Sequence, residues 1–293
     1  MNRMIGNYQN GNYSVCIYED GTKIRETEDD EFLASFPECM DVKITNYCDM
    51  GCPYCHENST TDGLHGDILN QKFINTLKPY TELALGGGNP LSHPNLEEFL
   101  ILLRSKRIIA NITINQKHFI DNYDWVKSLC DRKLIHGLGV SFTNANEDFI
   151  KKILSIDNVV LHVINGVVNI DELMKLGSKG IKVLILGYKE FRKGIEYHSS
   201  TVEESKVDMY YALDDITKLF KVVSFDNLAL KQLNVKRLMS DEDWSEFFMG
   251  DDGKFTMYID LVEQKFANNS TSIIRYDLLD DVVNMFEVVK NNK

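Results

Sequence analysis

Residues 39–57 read CMDVKITNYCDMGCPYCHE, and two patterns meet in them. The first seven residues form a strand-like run. The rest sets Cys48, Cys52 and Cys55 in a C-x3-C-x2-C spacing just beyond that run, with no fourth cysteine nearby. A loop at the end of a strand is where βα folds carry their chemistry, so the question is whether this strand opens such a fold.

Five further strand-like runs follow: ELALGGG (82–88), IIANITIN (108–115), IHGLGVSFT (135–143), NVVLHVIN (158–165) and GIKVLILG (180–187). Amphipathic stretches separate them. The clearest is NLEEFLILLRSK (95–106), where Leu96, Phe99, Leu100 and Leu103 fall on one helical face. Leu69, Phe73 and Leu77, then Phe149, Ile150, Ile153 and Leu154, then Ile170, Leu173 and Met174 repeat the pattern less strongly. Strand followed by helix, six times over, predicts parallel strands with crossover helices. The expected fold class is α/β, a partial (β/α)6 TIM-like barrel over residues 39–190.

Upstream, YSVCIYEDGTKIRE (13–26) sets two alternating runs around Asp20-Gly21, which predicts an N-terminal β-hairpin extension within residues 1–38. Beyond Gly187 the regularity fades into a charged helix near 201–220, strand-like KVVSFDNLAL (221–230) and KFTMYIDLV (254–262), and a final helix. That helix is read from a stripe of Leu278, Leu279, Val282, Val283, Phe286 and Val289. Residues 191–293 are therefore expected as a C-terminal α+β extension packed on the core, a module rather than an independently folding domain.

Composition narrows the function. The 293-residue chain is 43% hydrophobic and 26% charged, ordinary for a folded globular protein. Its formal charge of −12 disfavours bulk nucleic-acid binding. The N-terminus lacks the apolar core of a signal peptide, and no run approaches the roughly 20 apolar residues of a membrane span. A cytoplasmic protein with no membrane partner is expected. Six cysteines in that setting suggest reduced thiols or metal ligands. Cys16, Cys39 and Cys130 read as buried thiols.

A structural zinc on the cysteine cluster would need a fourth ligand from His56 or the distant Cys39, and His56 directly abuts Cys55, which strains a shared tetrahedron. A [4Fe–4S] cube accepts one protein ligand per iron, so three thiolates leave one iron open to a small molecule. The missing cysteine is then a vacancy with a use.

The spacing C-x3-C-x2-C with Tyr54 before the last cysteine resembles the signature of the radical S-adenosylmethionine enzymes. The resemblance covers about residues 39–190 and implies that family's barrel core. It implies further that the open iron chelates the amino and carboxylate groups of S-adenosylmethionine, and that Tyr54 packs by the adenine. LALGGGNPLSHP (83–94) is similar to the family's Gly-Gly-Glu-Pro turn through Gly87, Gly88, Asn89 and Pro90. Glycines let backbone carbonyls approach the methionine ammonium closely; Asn89 stands where the family has Glu and contributes no charge. From later strand ends the resemblance implies Ser141 and Thr143 for ribose and carboxylate, with Asn115, Asn165, Gly187 and Tyr188 as further cofactor contacts. The N-terminal hairpin and FTMYIDLVEQKFA (255–267) resemble a bacterial and phage-type group within the family.

The implied activity is reductive cleavage of S-adenosylmethionine and hydrogen-atom abstraction from an unidentified substrate, a peptide or protein or a small molecule. A one-electron donor such as flavodoxin or ferredoxin is the implied partner. Asp226, Asn227, Lys231, Asp260 and Glu263 lie where a substrate-selecting lid is expected, although each also reads as an ordinary surface polar group. His56, His65 and His93 receive no role. The second reading is a non-enzymatic iron–sulfur or zinc-binding module acting through a partner, against which the glycine turn argues.

Overall fold

The computed structural model describes residues 3–292. A three-stranded antiparallel sheet comes first: β1 (Met4–Asn10), β2 (Tyr13–Tyr18) and β3 (Lys23–Glu26), in that order. The Asp20-Gly21 turn forms with Gly21 at φ +89°, and a second tight turn at Gly11, φ +60°, adds the strand that a single hairpin does not account for.

Ten strands build the main sheet. They are β4 (Cys39–Thr45), β5 (Glu82–Gly87), β6 (Ile109–Asn115), β7 (Gly137–Ser141), β8 (Val159–Ile164), β9 (Lys182–Leu186), β10 (Val222–Phe225), β11 (Thr256–Asp260), β12 (Lys265–Ala267) and β13 (Tyr276–Asp277). Their order is β10-β9-β8-β7-β6-β5-β4-β11-β12-β13. The six strands expected from sequence, β4 to β9, lie side by side in chain order and run parallel. The segment after residue 190 adds parallel strands at both ends, β10 beside β9 and β11 beside β4, so it extends the sheet itself.

The helices are α1 (Leu96–Ser105), α2 (Gln116–Asp121), α3 (Tyr123–Asp131), α4 (Glu147–Leu154), α5 (Ile170–Met174), α6 (Lys193–Tyr197), α7 (Ser200–Leu219), α8 (Asn227–Gln232), α9 (Asp241–Phe247) and α10 (Val282–Asn291). Several start on side-chain caps: Asn115, Asn146, Asn169, Ser199, Asp226, Ser240 and Asp281 each accept a backbone N–H of the first turn. None of the described helices is long and apolar enough to cross a membrane.

Alternation along the strands separates two faces. Met40, Val42, Ile44, Leu83, Leu85, Ile112, Ile114, Val140, Leu161, Val163, Val183 and Ile185 enter the buried core, each contributing about 1.5–3 kcal/mol by leaving water. Most residues between them, such as Ala84, Thr113, His162 and Leu184, stay half-buried and form an open face, while Lys43 is buried.

The structure corrects four local readings. Residues 69–77 hold only a 3-10 turn, Lys72–Asn75, because the Asp67 carboxylate accepts the N–H groups of Leu69 and Asn70 and pulls the chain into a turn. KVVSFDNLAL is half strand and half helix, divided at Asp226, which caps α8. The last helix starts at Val282 behind its Asp281 cap, leaving Leu278 and Leu279 outside it. Of the three isolated cysteines only Cys130 is buried; Cys16 and Cys39 are half-buried.

The small sheet is fastened to the N-terminal ends of the parallel strands. Lys23 Nζ lies 2.6 Å from Glu82 and 3.2 Å from Glu38, the Asn158 amide donates to Glu19 O (2.6 Å), and Lys182 Nζ donates to Asp20 O (2.7 Å). It therefore occupies the end of the sheet opposite to the cysteine loop, whose own end stays open.

Candidate functional site

β4 ends at Thr45, and the chain then folds back on itself. Asn46 N–H donates to Leu64 O (2.8 Å), Cys48 N–H to Thr60 O (2.8 Å) and Thr60 N–H to Asn46 O (3.1 Å), which fixes the loop that carries the cysteines. Gly51, at φ +63°, makes the turn between Cys48 and Cys52. Cys55 N–H donates to Cys52 O (3.2 Å), closing the last turn. All three thiols are free and half-buried. Burial pushes the Cys48 and Cys52 thiols up, a bias that a bound metal cation reverses by stabilising the thiolate. Tyr54 stands edge-on to Tyr197 of α6 at 5.5 Å, and burial with the neighbouring Cys52 pushes its hydroxyl up to about 12.

The glycine turn is locked to this loop. Gly88 N–H donates to Thr45 O (2.8 Å) and Asn89 N–H to Tyr47 O (2.6 Å). Gly87 holds φ +106°, and a Cβ on Gly88 would stand 2.1 Å from Tyr47 O. The glycines are required by backbone packed on backbone. The Asn89 Oδ1 accepts Leu91 N–H (3.1 Å) and caps a 3-10 turn. His65 and His93 brace the far side: His65 Nδ1 is 2.8 Å from Thr45 Oγ1, His93 Nε2 is 2.8 Å from Gly66 O, and the rings meet edge-on. Gly88→Ala is expected to cost about 2–3 kcal/mol in urea unfolding through this clash and to lower iron uptake on reconstitution; a variant with the wild-type midpoint would show that the loop has room.

Across the open face, strand register sets Asn115, Ser141, His162, Leu184 and Ser224 in one row. Asn115 also caps α2 through Lys117 N–H, so its carbonyl oxygen is engaged. Ser141 has no side-chain partner among the described residues. Thr143 lies beyond the strand end, held by Gln116 Oε1, which accepts its N–H (2.8 Å) and its hydroxyl (3.1 Å). Sequence reading passed over His162. Burial lowers its pKa to about 4 and keeps it neutral. The unfolded chain takes up that proton near pH 6.5, so the folded state loses stability as pH falls from 6.5 toward 4. His162→Gln is expected to remove about 1–2 kcal/mol of the stability change between pH 7 and pH 5; equal pH dependence in both proteins would disprove it.

Asn165, Gly187 and Tyr188 meet around Gln232 of α8. Gln232 Oε1 accepts the Asn165 amide (3.0 Å) and Tyr188 N–H (2.9 Å), while Gly187 N–H donates to Asp226 Oδ1 (2.9 Å). The Tyr188 ring is buried with its hydroxyl donating to Gly194 O (2.7 Å). Asn165 Oδ1 is buried without a partner among the described residues, an open acceptor beside the ends of β8 and β9.

A charged network missing from the sequence reading backs the cysteine loop. Lys43 Nζ lies 3.2 Å from Glu57 Oε2 and 3.3 Å from Asp260 Oδ2; Arg275 Nη1 lies 3.3 Å from the same Asp260 oxygen. Arg192 Nη1 donates to Glu57 O (2.9 Å), and Lys189 Nζ reaches His56 Nε2 (3.3 Å) and Ser270 Oγ (2.9 Å). Burial and the Lys189 ammonium keep His56 neutral. Burial alone would raise the Glu57 carboxyl, but His56 and Lys43 outweigh it and hold it at about 2. On the other side of the loop the buried His118 pairs with Asp49 at 2.6 Å. The only local sequence signal was the pair His56-Glu57 directly after Cys55. Of the expected lid residues, Asp226 caps a helix, the Asn227 amide donates to Asp252, and Asp260 is fully buried in the network.

Three free thiols on one braced loop, with like-charged thiolates disfavoured until a cation arrives, fit an iron–sulfur cluster that takes three protein ligands. The unengaged Ser141 hydroxyl fits a polar organic group on the open face, and the orphaned Asn165 acceptor lies fully buried by the strand ends.

The family model described as Radical SAM superfamily matches residues 42–198, just over half of the chain. No curated protein matches it in sequence. Among solved structures, Streptococcus suis SuiB bound to precursor peptide SuiA is similar with a TM-score of 0.60 at 14% identity, over 87% of this chain and 65% of that one. SuiB bound to S-adenosylmethionine gives 0.58 at 13% identity, over 87% and 64%. The chain thus spans just under two thirds of those SuiB chains, and at such identities the likeness is one of fold.

Proposed function

The chain belongs to the Radical SAM superfamily, and from that membership we propose that it reductively cleaves S-adenosylmethionine and takes a hydrogen atom from a substrate. The observation that carries the proposal is the trio of free, half-buried thiols on a loop clamped to the glycine turn. Cys48, Cys52 and Cys55 would hold a [4Fe–4S] cluster. Held by these thiols, such a cluster would supply the one-electron reduction by which the carbon–sulfur bond of S-adenosylmethionine is cleaved.

The chain's own residues have three tasks. The Gly87-Gly88-Asn89 turn presents backbone next to the cysteine loop, where a methionine ammonium finds acceptors. Asn115, Ser141 and Thr143, with Asn165, Gly187, Tyr188 and Tyr54, would orient the nucleoside half. The Lys43–Glu57–Asp260 network holds the loop and keeps water from its buried side.

Residues 39–190 are read as a partial (β/α)6 barrel carrying the site, with residues 1–38 as an N-terminal β-hairpin extension and residues 191–293 as a C-terminal extension packed on that core. A flavodoxin or ferredoxin as electron donor and a cytoplasmic setting complete the reading. The peptide-bound SuiB structure keeps a peptide among the candidate substrates, together with small molecules.

The test is anaerobic reconstitution with iron and sulfide, reduction, and addition of S-adenosylmethionine. Deoxyadenosine release, with a change in the cluster's paramagnetic resonance signal when the cofactor is added, is expected. A tightly held zinc, or a cluster indifferent to S-adenosylmethionine, would reject the proposal.

A further inference from the structure

Asp41 lies two residues before Lys43 on β4, on the same open face, in register with Ala84 of β5 and Tyr258 of β11. Met40 and Val42 on either side of it turn into the core. Solvent reaches the Asp41 side chain, yet it makes no hydrogen bond or ion pair with any described residue. The protein enclosing it pushes its carboxyl above the usual carboxylate range; Lys189 opposes that shift, while Asp252, Glu57 and Asp226 add to it. A carboxylate that is both wetted and enclosed lines an internal space. The same space shows at Gly86, in register with Lys43, where a Cβ would meet nothing within 4 Å.

The charges around Asp41 are already engaged. Glu57 faces Lys43 and Arg192, and Asp226 accepts Gly187 N–H and Ala229 N–H. Asp252 accepts the Asn227 amide (2.7 Å) and the Asn269 amide (2.9 Å), which ties the segment before β11 to α8 and to the β12–β13 loop. Lys189 Nζ turns to Ser270 Oγ and His56 Nε2 and forms no ion pair with Asp41. The space thus carries an excess of negative charge, with one carboxylate unfilled. Such a field repels an anionic substrate and favours a cation. A metal ion does not fit, because Asp41 belongs to neither group of described side chains whose ligand atoms converge closely enough to hold one. An organic cation does: its N–H groups reach the carboxylate while its carbon body takes the room over Gly86. The formal charge of −12 raises the local concentration of such cations.

Resting on the proposed function, we propose that the substrate carries an ammonium or guanidinium group, and that Asp41 receives it in the space beside Ala84 and Gly86. Asp41 is then the residue that selects the substrate by charge.

Saturation-transfer NMR on the anaerobically reconstituted protein tests this without turnover, with n-butylammonium, n-butylguanidinium, n-pentanol and pentanoate as probes. The cations are expected to bind at least about tenfold more tightly than n-pentanol, as a hydrogen-bonded charge pair predicts, and pentanoate to bind least. Asp41→Asn keeps the shape without the charge and is expected to weaken cation binding about tenfold; Asp41→Glu, which restores the charge, is expected to stay within about threefold of wild type. Gly86→Val fills the space and leaves the carboxylate, and is expected to weaken the same probes without affecting their order. Nα-acetyl-lysine methylamide distinguishes the source of the ammonium: binding tighter than n-butylammonium supports a peptide side chain, and equal or weaker binding a small amine. Circular dichroism and iron content show that each variant is folded. Cations that bind no better than n-pentanol, or a folded Asp41→Asn protein that binds them as wild type does, overturn the proposal while deoxyadenosine release leaves the function reading standing. Absence of deoxyadenosine release alongside Asp41-dependent cation binding overturns the function reading instead, and with it the cation's standing as substrate.

Discussion

Cys52→Ala protein, reconstituted anaerobically beside wild type, is expected to hold little iron and sulfide and to release no deoxyadenosine above background. Wild type should reach about four irons per chain. With Cys48 and Cys55 alone, a cubane has two unfilled irons, and no described cysteine lies in the same loop to replace the lost ligand. Cys52 makes no contribution to the apolar core, and the loop is held by backbone bonds from Asn46, Cys48 and Thr60. Its removal should therefore change the unfolding free energy of the metal-free protein, measured in urea, by less than about 1 kcal/mol. That separation of folding from metal binding is the informative part. A Cys52→Ala protein with full iron and wild-type cleavage would remove the thiol trio from the mechanism.

Lys43→Met should have the largest effect on stability. The ammonium is almost fully buried between the carboxylates of Glu57 and Asp260, themselves 9% and 0% exposed. Arg275 remains on Asp260 and Arg192 near Glu57, at 3.3 Å and 3.9 Å, but neither bridges both acids. Removing one partner of a buried ionic group leaves charge without compensation, at about 3–5 kcal/mol. Urea unfolding at pH 7 measures it, and Lys43→Met with Asp260→Asn should recover at least half of the loss because the stranded charge is gone. Acid titration gives a second reading. Glu57 is held near 2 against a usual 4.5, so its share of stability is complete above pH 4.5 and declines as pH falls toward 2. Without Lys43 the carboxyl titrates higher, and acid unfolding moves to higher pH. A Lys43→Met protein within about 1 kcal/mol of wild type would mean that the network is not what braces the loop.

Much of the sheet was legible because parallel strands and amphipathic helices write their periods into consecutive residues. Six strands and α1, α4 and α5 follow from such periods. The errors fell where a single side chain overrode a pattern: Asp226 turned a strand-like run into a helix, Asp281 delayed the last helix, and Asp67 broke a helical spacing. The cysteine trio was legible for the same local reason, since its three thiols lie within one loop.

His162 shows the opposite case. In the sequence it is one residue in an apolar run, and nothing in VVLHVI marks it. Only strand register places it beside Ser141, with its ring over Gly139. Lys43, Glu57, Asp260 and Arg275 lie up to 232 positions apart, and long-range charge pairing leaves no spacing to read. The glycine turn lies between: its composition marked it, but its clash with Tyr47 O became visible only in the fold.

The sequence by itself determined the three-thiol loop and the parallel strands of the βα repeat, because each is specified by residues close together in the chain. Tertiary structure alone decided where β11 joins the sheet, which charges share a buried site and which side chains line the open face. Those depend on pairings between distant segments, whose register is set by packing and hydrogen bonding across the whole sheet.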